Sequence, residues 1–471
     1  MSKNFEPKEN YVGLYEIENI RAETIFNSLA DILKRFGLQI SQLRGQCYDM
    51  GASMAGSKTG VSKRVSDIEP RAIYTHCYGH ALNLACSDSI RSCKMLRNAL
   101  DVTKEITKLI KESPRREAIF KKLKDAQDLT KASPGIRILC PTRWTVKADA
   151  FDSILQNYSV LQDVWEESLE YVKDLDMRGR INGVLAYMNK FEFIFSIFLA
   201  EMLFRHCDPL SKALQKEKTS AAVGQSMAKS TVTTLKGLQN DAKFTEIYEQ
   251  VKKLAVKYNV DEPSLPRKRK APKKLDLPSE PQSFQTVEEM YKSVYSEACE
   301  LIMNGITSRF DQPGYKVYAH LEQLLLLAAG GRDFMSELTF VTDFYKSDIN
   351  AKDLKTQLET LSANFPKDKI PSIETIANFI QTTGVSLYTE VAIILHLILV
   401  MPATNANSER SFSVLRRVKT YLRATMSQNR LNNLLLLSIH KELTDTLDTK
   451  DVAREFTANS EHRFSMFGRW K

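Results

Sequence analysis

The densest hydrophobic run of the chain lies near its C-terminal end. Val391–Met401 is apolar at every position except His396, and Leu431–Ile439 further along is almost as dense. A helix that is apolar on all sides must be buried in protein or lie in a membrane. The upstream run is too short to cross a bilayer, so we expect it to be buried against other protein.

The first part of the chain alternates between strand and helix patterns. β-branched and aromatic residues predict strands at Tyr11–Ile17, Gln39–Tyr48 and Ala72–Thr75. Apolar residues at helical spacing predict helices at Ala22–Leu33 (closed by Gly37), Lys58–Val65 and around residues 81–85. Such alternation predicts an α/β sheet covered by helices.

From Leu96 onward the pattern is almost wholly helical. One break falls at Ser133–Pro141, and a proline-rich linker occupies residues 261–281. Helices resume at Thr286 and continue to the end, with turns predicted at Pro313-Gly314, Gly330-Gly331 and Phe365-Pro366.

Length, composition and net charge indicate what kind of protein the chain forms. The chain has 471 residues, 43% hydrophobic and 26% charged, which is typical of a folded globular protein with two or three domains. Its polar N-terminus has no secretion signal, and seven cysteines without a CxxC pair indicate free thiols in a reducing compartment. The net charge of +9 mildly favours a polyanionic partner.

Asp49 follows the strand pattern and precedes the small residues Gly51, Ala52 and Ser53. A carboxylate at a strand end projects into the crevice where α/β folds carry their chemistry. The same residue in the same place can simply cap a turn. Spacing alone leaves both interpretations open and favours the turn.

Cys77 and His80 have the spacing of zinc ligands. A structural zinc site needs four ligands, and no second pair with suitable spacing follows. We therefore reject a zinc finger and interpret the pair as a helix start with a buried cysteine and a hydrogen-bonded histidine.

Two segments are candidates for contact with nucleic acid. Arg143 and Trp144 follow the Pro/Gly break, where an arginine beside a tryptophan can stack on a base and neutralise a phosphate; alternatively Trp144 anchors a helix. Six of the eight residues of Arg267–Lys274 are basic, which is typical of a nuclear-import signal or of a solvated linker.

Glu409 lies between the two apolar runs. Taken by itself it is an acid in the first turn of a helix, behind a Thr404/Asn405 cap, where it complements the helix dipole.

Several short motifs occur in an order that resembles the hAT superfamily of DNA transposases, especially its zinc finger MYM-type and protein-kinase-inhibitor-repressor-like group. The motifs are Arg44–Asp49, Gly51–Ser53, Met54–Gly56, His76-Cys77 with His80–Asn83, Thr142–Trp144, and Asn405–Phe412. The resemblance implies an RNase H-like core interrupted by a helical insertion.

The fold class predicted on this basis is α+β and mostly helical, an incomplete RNase H-like α/β core interrupted by a large all-helical insertion. The truncated N-terminal part of the core is predicted at residues 1–95, and the insertion with its linker at residues 96–375. The hAT C-terminal dimerisation region follows at residues 376–445, and a tail at residues 446–471.

By the same resemblance, Asp49 and Glu409 match the second and third catalytic carboxylates, which would hold Mg²⁺ or Mn²⁺ in an active enzyme. Cys77 and His80 match the family's Cys-x-x-His motif. Arg143 and Trp144 match its Arg-Trp motif, which contacts a flipped base.

Two departures from the family argue against catalysis. The stretch that carries the first catalytic Asp would lie upstream of Met1, and Met50 occupies the position of the glycine that usually follows the Asp. A turn with positive φ at Met50 would be strained.

We therefore expect a transposase-derived, catalytically inactive protein of the nucleus that needs no cofactor and acts by dimerisation. Its partner would be a second copy or a related hAT protein, with DNA as a further candidate partner, and not a membrane. The predicted dimerisation residues are Leu431, Leu434, Leu435, Leu437 and Ile439. The alternatives are an active metal-dependent transposase and a nuclear DNA- or chromatin-binding factor.

Overall fold

The computed structural model describes residues 5, 7–126, 135–137, 147–214, 221–265, 284–401, 405–420 and 425–468, without the side chains of residues 221, 222, 406, 407 and 409. The chain forms two compact units. The first joins Met1–Thr75 to His320–Lys471, and the second is the continuous stretch His76–Ala319. These divisions differ from the predicted domain boundaries, which remain a prediction.

In the residues that the structure describes, the N-terminal part of the first unit has three α-helices and a small sheet. They are α1 (Ala22–Arg35), β1 (Gly45–Tyr48), α2 (Ala52–Ala55), α3 (Val61–Ile68) and β2 (Ile73–His76). The two strands pair with each other. Ile25, Phe26 and Leu29 share one face of α1 and pack against Val61 and Val65 of α3, so the predicted amphipathic helix is confirmed.

The strand predictions were less successful. Tyr11–Ile17 forms no strand, because the backbone there bonds to side chains of a distant helix instead of a ladder. Of Gln39–Tyr48, only the last four residues form β1, after a turn of 3₁₀-helix at Ile40–Gln42. The strand predicted at Ala72–Thr75 is β2, one residue later in the chain.

The second unit is helical throughout its described residues, except for loops. Its helices are α4 (Tyr78–Ser92), α5 (Lys94–Lys111), α6 (Pro114–Ala126), α7 (Lys147–Gln156), α8 (Tyr158–Tyr171), α9 (Leu175–Met188), α10 (Phe191–Leu214), α11 (Ala221–Leu238), α12 (Asp241–Lys257), α13 (Val287–Phe310) and α14 (Pro313–Ala329), the last of which crosses into the first unit. Helix α10 is the centre of this unit and packs against α4, α5, α7, α9, α11 and α12.

The predicted turn at Pro313-Gly314 is wrong, since Pro313 is the first residue of α14. Proline is well tolerated there because its missing N–H would have no partner within the helix. The turns at Gly330-Gly331 and Phe365-Pro366 are confirmed, because they follow directly on the ends of two helices. Most of the Ser133–Pro141 break and residues 266–281 of the linker lie outside the described residues.

After the end of α14, the described residues of the C-terminal part of the first unit contain nine α-helices and a turn of 3₁₀-helix at Val385–Leu387. The α-helices are α15 (Met335–Phe344), α16 (Ala351–Asn364), α17 (Ile373–Thr383), α18 (Thr389–Leu399), α19 (Ala406–Val418), α20 (Gln428–Ile439), α21 (Lys441–Thr444), α22 (Thr449–Ala458) and α23 (Glu461–Phe467).

Helix α18 is buried against α16 and α17, as its apolar sequence predicted. Its first amides are held by α16, because Gln357 Oε1 accepts hydrogen bonds from the backbone N–H groups of Glu390 and Val391 at 2.8 and 3.2 Å. The side chain of one helix thus satisfies donors that the other leaves without an intrahelical acceptor.

The fold class is confirmed in its coarser part: the described chain is mostly helical, with a two-stranded sheet. That this sheet belongs to an incomplete RNase H-like core remains a prediction. No single helix among the described residues is long and apolar enough to span a membrane. The helices α9 and α10 taken together have the length and composition of a membrane span, but they are bent by 76° relative to each other.

Candidate functional site

Asp49 lies directly after β1, as predicted, and its side chain is exposed. Its Oδ1 accepts a hydrogen bond from the Gly51 backbone N–H at 3.0 Å, which is the geometry of an Asx turn. The Asp49 carbonyl accepts a further bond from the Tyr74 hydroxyl at 3.2 Å. The carboxylate therefore serves the turn that leads from β1 to α2.

The expected backbone strain at Met50 is absent. Among the described residues, Asn259 is the only non-glycine residue with positive φ, and Gly51 has φ −55°. Because this turn uses negative φ at both positions, methionine fits after Asp49 without the cost that the sequence suggested.

Glu409 lies in the first turn of α19, where the sequence predicted a helix start. Its side chain is outside the described part of the structure. The approach of Asp49 and Glu409 to a common metal ion stays a prediction. Within the described residues, no group of three or more His, Cys, Asp or Glu side chains could hold a metal ion.

Cys77 and His80 start α4 and belong to a packed joint of the second unit. Cys77 is the N-cap residue and is fully buried, and the ring of His80 meets the ring of His76 edge-on at 5.5 Å. Tyr315 donates a hydrogen bond from its hydroxyl to the His76 carbonyl at 2.9 Å. These contacts fit the structural interpretation of the motif.

The next residue, Tyr78, extends this joint. Its ring stacks on Tyr315 at 4.0 Å and on Phe310 at 4.8 Å. Gly224 of α11 approaches so closely that a Cβ there would lie 2.8 Å from the Tyr78 ring. The predicted nucleic-acid residues Arg143 and Trp144, and the basic segment Arg267–Lys274, lie outside the described residues.

A charged cluster in the first unit escaped the sequence analysis. Asp348, between α15 and α16, accepts two hydrogen bonds from Arg44, at 2.7 and 2.8 Å, and one from Arg71 at 2.8 Å. Arg71 also forms a two-bond pair with Glu69, at 2.5 and 2.6 Å. Hydrogen bonding by Arg71 is the main cause that lowers the pKa of the Glu69 carboxyl.

This cluster, which we call the Asp348 cluster, joins parts of the chain that are far apart in sequence. Arg44 already stands at the start of the motif that leads into β1, but no local pattern could have paired it with an acid 304 positions away.

The five predicted dimerisation residues on α20 separate into three groups by burial. Leu431 and Leu435 are 5% and 1% exposed and belong to the core of their own unit. Leu434 and Ile439 are half-buried, and Leu437 is exposed. The sequence missed Leu436, which is exposed beside Leu437; the two have 46% and 44% of their surface accessible.

The N-terminal segment Tyr11–Tyr15 lies along another side of α20. Asn432 of α20 accepts a hydrogen bond from the Leu14 N–H at 2.9 Å and donates one to the Leu14 carbonyl at 2.9 Å. Gln428 donates to the same carbonyl at 2.7 Å, and the Tyr11 N–H donates to His440 Nε2 at 3.2 Å.

The helices after α20 also expose large apolar side chains. They are Leu443, Leu447, Val452, Phe456, Phe464, Met466 and Phe467. Helices α22 and α23 pack against each other, with the rings of Phe456 and Phe467 at 6.3 Å. Leu443 belongs to the predicted dimerisation region, whereas the other six lie in residues 446–471, which the sequence predicts to be a tail.

Comparison with known proteins gives two family matches. Residues 361–443 match the hAT family C-terminal dimerisation region, and residues 1–60 match the ZMYM1/FAM200, RNase-like domain. The first match contains α17 to α20 and therefore both exposed leucines.

Two curated proteins resemble nearly the whole chain. A Homo sapiens protein named 52 kDa repressor of the inhibitor of the protein kinase is 24% identical over 96% of this chain and 60% of its own length. The Mus musculus protein of the same name is 23% identical over 94% of this chain and 59% of its own. The chain thus spans about three fifths of the length of these relatives. These comparisons confirm the resemblance to the hAT superfamily, which at residues 361–443 is a match to the hAT C-terminal dimerisation region.

Proposed function

We propose that this chain is a catalytically inactive descendant of a hAT transposase that acts by pairing with a second copy of itself. The observation that carries the proposal is the pair of neighbouring leucines, Leu436 and Leu437, exposed on α20 within the matched dimerisation region. Exposed apolar surface of this kind marks interfaces.

The monomer itself limits which residues can serve this purpose. Leu431 and Leu435 already fill the core of the first unit, so they cannot also enter a partner. Leu436 and Leu437 have nearly half of their surface free, and covering it would contribute about 1 kcal/mol for each side chain. The apolar residues exposed on α21 to α23 extend the surface available to a partner.

Catalytic inactivity is the second part of the proposal. It is supported by Asp49, whose carboxylate is exposed and bonded to the Gly51 N–H of its own turn. Metal-binding carboxylates are held in place by surrounding hydrogen bonds that orient them toward the ion, and the described contacts of Asp49 orient it toward its turn instead.

Light scattering on the purified full chain tests the pairing. At micromolar concentration we expect a mass of twice 53.6 kDa. A double substitution, Leu436→Glu with Leu437→Glu, should give the monomer mass because two carboxylates would have to be buried in the interface. Both positions are exposed in the monomer, so its helical circular dichroism should be unchanged.

Leu175→Glu is the matched control. Leu175 is 81% exposed on α9, outside the dimerisation region, so this variant should keep the dimer mass. A wild-type monomer at this concentration, or a folded double variant that still has the dimer mass, would contradict the proposal.

A further inference from the structure

The second unit contains a pair of buried thiols that the proposed function does not use. Cys86 on α4 and Cys207 on α10 are 4% and 3% exposed. Both thiols line the same small cavity. They are 121 positions apart in sequence but adjacent in space, because α4 packs directly on α10.

A buried lysine stands beside this pair. Lys147, the first residue of α7, donates hydrogen bonds from Nζ to Asn83 Oδ1 at 2.5 Å and to Ser87 Oγ at 2.7 Å. Its ammonium also lies 5.6 Å from the ring centre of Phe204. Both hydrogen-bond acceptors are neutral, so they solvate the charge without cancelling it, and its field reaches Cys86.

The surroundings make the two thiols unequal. The neighbouring Cys207 thiol and the charges of Lys147 and Arg309 lower the pKa of Cys86 against the effects of burial and of Asp208. The pKa of Cys207 is instead raised well above its ordinary value, by the neighbouring Cys86, by burial and by Asp208. Two other buried thiols behave differently: burial raises the pKa of Cys93, and that of Cys299 to about 12.

The pair is also reachable by a small molecule. Both thiols line one small cavity together with polar groups. The lining residues are Leu82, Asn83, Cys86, Lys147, Phe204, Cys207, Asp208 and Ser211. The cavity has a volume of about 10 Å³, close to the space that a guest as large as water needs. Hydrogen peroxide is close to that size, whereas aromatic disulfide reagents are much larger.

We propose that Cys86 and Cys207 are a peroxide-sensitive pair that closes into a disulfide between α4 and α10. The Cys86 thiolate attacks one oxygen of hydrogen peroxide, the O–O bond breaks, and Cys86 becomes a sulfenic acid while hydroxide leaves. The Cys207 sulfur then displaces a second hydroxide from the Cys86 sulfur, and the protons lost by the Cys86 and Cys207 thiols convert the two hydroxides into water. In total two thiols and one peroxide give one disulfide and two water molecules.

Mass spectrometry of the full chain tests this reaction. After brief treatment with hydrogen peroxide, alkylation and digestion without reductant, we expect a linked peptide containing Cys86 and Cys207 that has lost two hydrogen atoms and that dithiothreitol separates. In Cys207→Ser the second step is blocked, so Cys86 should be trapped as a sulfenic acid that reacts with dimedone. Cys93 and Cys299 should remain thiols and serve as internal controls.

The role of Lys147 is tested by rate. Lys147→Met removes the charge at similar length and should slow disulfide formation several-fold, while Lys147→Arg should retain most of the rate. Circular dichroism establishes that both variants are folded. If Lys147→Met is unfolded, the pH dependence of the wild-type rate serves as the test instead. As pH rises, the rate of disulfide formation should reach its plateau at a lower pH than the one at which free cysteine ionises.

Three results would overturn the proposal. One is the absence of the linked peptide under conditions that oxidise the partly exposed Cys47. Another is oxidation of Cys93 and Cys299 as fast as of Cys86. The third is a wild-type rate that rises with pH as that of an ordinary thiol does. None of these outcomes bears on dimerisation, so the two proposals stand or fall separately.

Discussion

At the scale of single residues, the use of a carboxylate depends on what its oxygens already bind. Asp49 is exposed, and its Oδ1 accepts the Gly51 N–H. Sequence patterns placed it correctly at the end of a strand but could not choose between catalysis and turn formation. Both uses require an acid followed by small residues, so the spacing cannot separate them. The hydrogen bond to the Gly51 N–H shows the turn, and the match of Asp49 to a catalytic carboxylate stays a prediction.

Substitution at Asp49 separates these uses. Asn keeps the oxygen that accepts the Gly51 N–H, so Asp49→Asn should leave the free energy of unfolding nearly unchanged, whereas Asp49→Ala should lower it by about 0.5–1.5 kcal/mol. Neither the wild type nor either variant should cleave DNA in the presence of Mn²⁺. Denaturant titration and a nuclease assay check the two parts, and cleavage by the wild type that Asp49→Asn abolishes would contradict catalytic inactivity.

At the scale of elements, the helices were predicted better than the strands. A helix satisfies its backbone within one segment, so the apolar spacing in α1 and the continuous apolar run in α18 were sufficient. A strand needs a partner that the local sequence does not name. Tyr11–Ile17 has the composition of a strand, yet its backbone bonds to Gln428, Asn432 and His440 of the distant C-terminal region.

Gly13 makes this attachment possible. It has φ +117°, and a Cβ there would lie 3.4 Å from the Asn432 side chain. Gly13→Ala should therefore release the segment, at a cost of about 1–3 kcal/mol for the strained backbone. Hydrogen exchange of the Tyr11 and Leu14 amides should become faster. Gly37→Ala is the control, since Gly37 also has positive φ but nothing within 4 Å; it should not change the exchange of these two amides.

At the scale of the whole molecule, the first unit is built from both ends of the chain. The Asp348 cluster holds these two parts together, because Arg44 and Arg71 from the N-terminal part form ion pairs with Asp348 from the C-terminal part. Its charges are mostly buried, so removing one of them leaves the others without a partner. Long-range pairings of this kind have no local signature, and the sequence analysis accordingly missed the cluster.

Glu69 gives this cluster a pH dependence. Its pKa is lowered in the folded chain, chiefly by hydrogen bonding to Arg71, so its contribution is fully present above the unfolded pKa of about 4.3 and is lost as pH falls through the lower folded pKa. Thermal melting followed down to about pH 3 should lose stability less steeply in Glu69→Gln than in the wild type. Asp67→Asn, in the exposed pair with Lys63, should follow the wild type. Equal acid slopes for Glu69→Gln and wild type would contradict this assignment.

The discontinuous first unit also has a consequence for the order in which the protein is made. Leu14 leaves the ribosome 418 residues before Asn432, its hydrogen-bond partner, which at ordinary translation rates is a delay of roughly 20 to 80 seconds. The second unit is one continuous stretch and can collapse during that interval. The backbone of residues 11–15 must therefore wait until α20 emerges, whereas the apolar face of α1 can pack on α3 as soon as that helix has been made.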